Sequence, residues 1–265
     1  MIDNNILITH KFTADNDIIV YPIADVHYGA LEHMQKEWKA FCKHVEKSKN
    51  TYLILNGDLV NNSVKNSVAN PFDEVVRPRT QKEHMVEFLK PIADRILCIV
   101  PGNHELRTAK ESDQEITYDI AARLGIEDLY RRDVAYMKIS LGTRQRDGLP
   151  KVNYTFAVTH GAGGGSTGAA INKNEAFGRV IDGLDALVVA HSHKGAITKP
   201  GKMVIDNTHN RVSMRPFVHV ICVPWLAFGG YAARGMLSPS AVADPQEMRL
   251  ICTEQASKKK IVTRW

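Results

Sequence analysis

Short apolar runs set between polar, turn-rich segments dominate the pattern of this chain. Ile18 to Ile23, Tyr52 to Leu55, Ile96 to Val100, Tyr154 to Val158 and Leu187 to Ala190 are rich in β-branched, leucine and aromatic positions. Each is short and bounded by turn residues, which predicts buried strands. Leu31 to Ser48 instead carries Trp38, Phe41 and Val45 at helical spacing, so a helix with a packing face is expected there. A second helix is expected from Thr80, read as its N-cap, through Met85, Phe88 and Leu89 towards Ile92, with Pro91 as its break. Farther on, Phe217 to Val223 and Met248 to Cys252 read as strands of a second sheet. Alternation of strand and helix places the chain in the α/β class, as a sandwich. With no internal repeat, low-complexity stretch or composition shift, residues 1–265 are expected to form one domain.

The polar residues that follow these runs carry the chemistry. Asp25-Val26-His27, Gly57-Asp58, Gly102-Asn103-His104-Glu105, Thr159-His160-Gly161 and His191-Ser192-His193 each come directly after an apolar run. In an open α/β sheet, loops at the carboxyl ends of strands converge on one crevice, so a single site can collect all five motifs. Imidazole and carboxylate with one amide and no thiolate suit manganese, iron or zinc rather than a structural cysteine-zinc site. Taken singly, Asp-x-His and Gly-Asp are also ordinary cap and turn chemistry, and Pro101-Gly102-Asn103 also spells a turn. What carries weight is their joint order. His10, His33, His44, His84, His209 and His219 lack this context and read as core or surface residues.

In order, type and spacing, the motifs from Asp25 to His193 resemble the calcineurin-like metallophosphoesterase superfamily. The resemblance implies a two-sheet β-sandwich flanked by helices in a four-layer αββα arrangement, a dinuclear metal centre and phosphoester hydrolysis. By position, it implies that Asp25, His27, Asp58 and His193 hold one ion and that Asp58, Asn103, His160 and His191 hold the other, with Asp58 bridging. His104 would be the general acid that protonates the departing alkoxide. Two divalent ions, manganese first and iron or zinc as alternatives, can clamp both the attacking and the leaving oxygen and activate a shared water as nucleophile. Only Asp25 and Asp58 among these ligands are charged, so about two positive charges remain to match a hydroxide and a phosphodiester anion.

Departures from the pattern bear on the substrate. Gly57-Asp58-Leu59-Val60-Asn61-Asn62-Ser63 lacks the Asp-Arg-Gly continuation of serine/threonine protein phosphatases, which argues against that subfamily. Asn61 stands where an aspartate would support the acid histidine. Ala190 replaces a usual glycine, and Glu105 stands where nuclease members often carry aspartate. The overall layout resembles compact phage and prophage members, so a phosphodiesterase acting on DNA or RNA is the leading expectation. A phosphomonoesterase or cyclic-nucleotide phosphodiesterase is the alternative within the enzyme class. A binding or assembly module that holds metal without chemistry is the alternative outside it.

The long polar connection from Asn61 to Thr80 supplies Arg77 and Arg79 as candidate phosphate contacts, and Arg107, beyond His104, is a third. Gly161 to Gly168 is glycine-rich but lacks the Gly-Lys-Ser/Thr ending of a P-loop, and is read as a flexible element beside His160. Lys258-Lys259-Lys260 is expected to be the solvated edge of a final strand. The apolar, aromatic stretch from Trp225 to Met236 is expected to cover the core or to form a homo-oligomer surface.

A formal charge of +5 agrees with an anionic substrate but is far below the footprint of a dedicated nucleic-acid binder. Cys42, Cys98, Cys222 and Cys252 are dispersed among apolar neighbours and read as reduced thiols. Without a membrane-length apolar run or a basic-then-apolar start, a cytoplasmic protein with no membrane partner is expected.

Overall fold

The structure, a computed structural model, describes residues 6–65, 67, 71–161, 167–230, 233, 244–255 and 258–265. Its strands are β1 (Ile8–Phe12), β2 (Ile18–Ile23), β3 (Thr51–Asn56), β4 (Ile96–Val100), β5 (Ala135–Thr143), β6 (Pro150–Val158) and β7 (Ala186–Val189). They continue with β8 (Ala196–Thr198), β9 (Gly201–Asp206), β10 (Arg211–Pro216), β11 (Val218–Ile221), β12 (Glu247–Leu250) and β13 (Ile261–Arg264). The helices are α1 (Gln35–Lys47), α2 (Pro78–Leu89), α3 (Glu105–Ser112), α4 (Ile116–Leu124) and α5 (Thr167–Val180).

One sheet runs β13-β12-β2-β3-β4 and the other β1-β5-β6-β7-β11-β8. Within them, β2, β3 and β4 are parallel neighbours, as are β6, β7 and β11. Of these, β3, β4, β7 and β11 are buried on both faces along nearly their whole length, which is why they read as near-continuous apolar runs. In β3, Ile54 enters the core between the sheets, while Leu53 and Leu55 meet the helices. In β7, Ala186 and Val188 face the inter-sheet core while Leu187 and Val189 pack with Phe217 and, in α5, with Ala170 and Ile171. On the opposite side Trp38, Phe41 and Val45 of α1 and Met85 and Leu89 of α2 cover the five-stranded sheet. Two sheets between two helical layers are therefore the arrangement, αββα.

The helical edges differ from the sequence-based expectation in two places. Residues before Gln35 form turns (Ala30 N–H to His27 O, 3.0 Å; His33 N–H to Ala30 O, 3.2 Å), so α1 starts after Leu31, which is exposed. Thr80 is not an N-cap, because α2 begins at Pro78, a residue with φ already set for the helix and no N–H to satisfy. Its end at Leu89 matches the break expected at Pro91, which sits in a tight 3-10 turn.

Trp225 is buried against Trp38 and Phe41, so the start of the 225–236 stretch covers the core. Residues 231–232 and 234–236 lie outside the described residues. So do residues 162–166, most of the glycine-rich segment. Lys258 to Lys260 come just before β13, which is the edge strand of its sheet, and Lys259 Nζ lies 2.6 Å from Asp185 Oδ2. All four cysteines are free. Among the described residues no helix is long and apolar enough to cross a membrane.

Candidate metal centre

Because β2, β3 and β4 run parallel, the loops that leave them open at one end of their sheet, and the loops leaving β6 and β7 do the same in the other. Main-chain pairing continues past the strands: Asp25 N–H reaches Gly57 O (3.1 Å), His27 N–H reaches Asp58 O (2.9 Å) and Ala190 N–H reaches His160 O (3.1 Å). This carries five loops from two sheets to one place.

Three overlapping groups of donor atoms result: Asp25, His27 and His193; Asp58, His160 and His191; and His27, Asp58 and His104. Within the first, His27 Nε2 is 3.1 Å from His193 Nε2, and His193 Nε2 is 3.3 Å from Asp25 Oδ1. Asp58 Oδ2 lies between the groups, 3.2 Å from His160 Nε2, 3.8 Å from His27 Nε2 and 3.9 Å from His104 Nε2. Asn103 joins through its Oδ1, 2.7 Å from His191 Nδ1. All seven residues proposed as ligands are thus brought together, with His104 beside them.

The donor set fits divalent metal. Donors around one ion with bonds of about 2.1 Å are spaced about 3.0–3.4 Å apart, close to the shorter separations here. Asp25 Oδ1 is buried without a hydrogen-bond partner, which is costly unless a cation fills the role. His160 is oriented for ligation: its Nδ1 donates to Asn56 O (2.7 Å), which turns Nε2 toward Asp58.

The carboxylates and imidazoles of the cluster shift one another's proton affinity. Burial lowers the His160 pKa, but Asp58 and Asp25 outweigh it and raise the group overall. Burial likewise lowers the His193 pKa, but the Asp25 carboxylate outweighs it and raises the group overall. Burial holds His27 well below its usual value, with His104 adding to the effect. Although burial alone would raise Asp58, the surrounding imidazoles hold its carboxyl well below the usual range. Metal binding at such a site competes with protons.

Local backbone strain concentrates here. Nine described non-glycine residues have positive φ, and five of them, Asp25 (51°), His27 (47°), Asp58 (50°), His191 (69°) and His193 (54°), are candidate ligands. Such conformations cost on the order of 1–3 kcal/mol each and persist where the surroundings over-determine them. Gly57 (φ 80°) and Gly102 make the crossing of two motifs possible, since a Cβ on Gly57 would strike the Gly102 backbone and His160, and one on Gly102 would strike Asp58.

What the sequence reading missed is the structural role of Glu105. This residue is buried and accepts hydrogen bonds from the backbone N–H groups of Asp58 (2.9 Å), Gly102 (2.9 Å) and Val60 (3.1 Å). Burial and nearby Asp58 raise its carboxyl to about 7, while the Val60 and Gly102 N–H groups oppose the rise. Asn62 adds a further tie through Nδ2 to His104 O (2.8 Å). Adjacency of Glu105 to His104 in the motif was the available signal.

The His104 Nδ1 sits 2.7 Å from the main-chain oxygen of Asn61, so a neutral carbonyl occupies the place expected for an aspartate. The Asn61 side chain turns away, to Ser63 Oγ (3.2 Å) and Glu74 Oε1 (3.1 Å). Arg107 lies against His104. Arg77, just before α2, and Arg79, in its first turn, are exposed; Arg79 pairs with Glu83 (3.2 Å), and no contact joins either to the centre among the described residues.

The fold and this centre are those of a metal-dependent phosphoesterase, and the family model for calcineurin-like phosphoesterases matches residues 20–195. The chain belongs to that family. A crystal structure of a conserved uncharacterized protein from Streptococcus pneumoniae TIGR4, described as a predicted phosphoesterase, is 10% identical over 94% of this chain and 99% of that one, with a TM-score of 0.34. At that score the likeness bears no weight, and membership rests on the family match. No curated protein matches this chain at a significant level.

Proposed function

We propose that this protein is a dinuclear-metal-dependent phosphodiesterase, with DNA or RNA as the first substrate class to test. The observation that carries the reading is the position of Asp58 between the two imidazole-carboxylate groups, with Asp25 the only other carboxylate among the ligands. Glu105 adds no ligand charge, because its oxygens are turned to backbone N–H groups. Two divalent ions would keep a surplus of about two positive charges, suited to a hydroxide and a monoanionic diester.

In this reading Asp25, His27 and His193 hold one ion, Asn103, His160 and His191 hold the other, and Asp58 spans both. Manganese is the first ion to try, ahead of iron or zinc. When bound, the pair supplies an activated water and neutralises charge on the phosphoryl oxygens. His104 stands at the edge of the ligand cluster with its ring held through Nδ1 by Asn61 O, and in this reading it is the general acid for the leaving alkoxide.

The test compares bis-p-nitrophenyl phosphate with p-nitrophenyl phosphate on chelator-stripped protein reloaded with manganese. Metal-dependent turnover of the diester in preference to the monoester supports the reading and leads to DNA and RNA. Monoester preference overturns it in favour of a phosphatase.

A further inference from the structure

The side chain of Arg107 occupies the atom that the proposed chemistry needs. It lies on α3, one turn beyond His104, and its Nη2 is 2.8 Å from His104 Nε2. A guanidinium only donates, so Nε2 must be the acceptor, and the ring proton sits on Nδ1, which donates to Asn61 O. Arg107 Nη1 donates to the same carbonyl, at 3.2 Å. Both partners of Arg107 are therefore neutral, and no carboxylate pairs with it among the described residues. Asp58, Glu105 and Glu74 favour its charge without hydrogen-bonding to it, and a half-buried arginine whose own hydrogen bonds go to neutral acceptors, beside a centre for anionic esters, can gain a stronger bond from an anion. In this arrangement Nε2 faces the guanidinium and not a leaving group.

We propose that Arg107 is a specificity-determining residue that exchanges His104 Nε2 for a nonbridging oxygen of the bound phosphoryl group. The inference rests on the phosphoesterase reading and adds to it the group that recognises the phosphoryl oxygens. Asn61 makes the exchange workable. Its carbonyl keeps the His104 ring in place through Nδ1 while Arg107 moves, and it is itself fixed because Glu74 Oε1 holds both Asn61 Nδ2 (3.1 Å) and Ser63 N–H (2.7 Å). A hydrogen bond to a charged oxygen is stronger than one to a neutral ring nitrogen, so phosphate wins Arg107 from His104.

The experiment is calorimetric titration of inorganic phosphate into manganese-loaded wild type, Arg107→Ala and Arg107→Lys, with bound metal quantified in each. Arg211→Ala, which removes the same charge from the β9–β10 hairpin, is the control. Expected is a loss of phosphate affinity of about 10- to 100-fold in Arg107→Ala, partial recovery in Arg107→Lys, and wild-type affinity in the control. Nitrogen-15 spectra of His104 supply a second readout: Nε2 is an acceptor shifted by Arg107 before phosphate is added, and loses that shift on saturation. Equal phosphate affinity in wild type and Arg107→Ala, with diester turnover intact, overturns this proposal alone. If metal-loaded wild type neither binds phosphate nor cleaves either ester, the phosphoesterase reading falls and the Arg107 assignment with it.

Discussion

Glu105 Oε2 lies 2.9 Å from the backbone nitrogen of Asp58, joining the third sequence motif to the second beneath the ligand cluster. The same oxygen also takes the Gly102 N–H, so one carboxylate oxygen holds both sides of the glycine crossing. Glu105→Gln turns an amide NH2 against at least one of three backbone N–H donors. The expected cost is about 1–3 kcal/mol in stability, with weaker metal binding because Asp58 loses its support. Thermal unfolding and metal titration of the variant check this; an unchanged melting point and unchanged metal affinity would show that the clamp has no role.

Replacement of Asp58 by asparagine keeps size and removes the charge shared by the two groups. Turnover is expected to vanish, and the variant is expected to bind fewer than two ions per chain. Wild type, by contrast, gains thermal stability when metal is added, since ions bind the folded state and relieve the buried carboxylates. Metal content by elemental analysis, together with diester turnover, decides the point. Full activity in Asp58→Asn would sink the dinuclear mechanism.

His104→Ala separates metal binding from proton transfer. Metals are expected to remain, while kcat for a diester with a poor leaving group falls by about 10²–10⁴. A p-nitrophenyl leaving group needs protonation less, so the loss on that ester should be smaller. An equal loss on both esters would assign His104 to ligation instead.

Acid sensitivity is expected at a point away from the centre. His219 on β11 is fully buried, with Nδ1 3.1 Å from Thr198 Oγ1 and Nε2 unpartnered, and burial lowers its pKa to about 4 while Glu175 opposes the shift. Between about pH 6.5 and 4 the unfolded chain binds a proton that the folded one refuses, so stability rises with pH. The contribution is whole above about pH 6.5 and is lost as pH falls toward 4, amounting to up to about 3 kcal/mol. Urea unfolding of metal-free wild type and His219→Gln across this range should give curves that converge in acid. Parallel curves would refute the assignment.

Much of the sandwich was legible from local pattern. Ile18 to Ile23 and Ile96 to Val100 coincide with β2 and β4, because strands buried along most of their length leave a near-continuous apolar signal. The helix face formed by Trp38, Phe41 and Val45 was legible for the same reason, its spacing matching one turn. The amphipathic β5 and the hairpin β9–β10 were not anticipated; the latter stands outside both sheets, with Met203 and Met214 exposed, and lacks the burial that would mark it.

At the centre, the sequence by itself determined which residue types are available and that each follows a strand, since motif order and apolar runs are local properties. Only the tertiary structure decided the rest. The left-handed backbone at Asp25, His27, Asp58, His191 and His193 is fixed by packing, on residue types that tolerate it better than most. The Glu105 clamp joins segments 45 to 47 positions apart. Arg107, one arginine among several in the sequence, is singled out because helix α3 starts at the motif and turns its guanidinium back onto His104, whereas Arg79 points along α2 to Glu83. Contacts between distant segments depend on how two sheets stack, and no local periodicity encodes that.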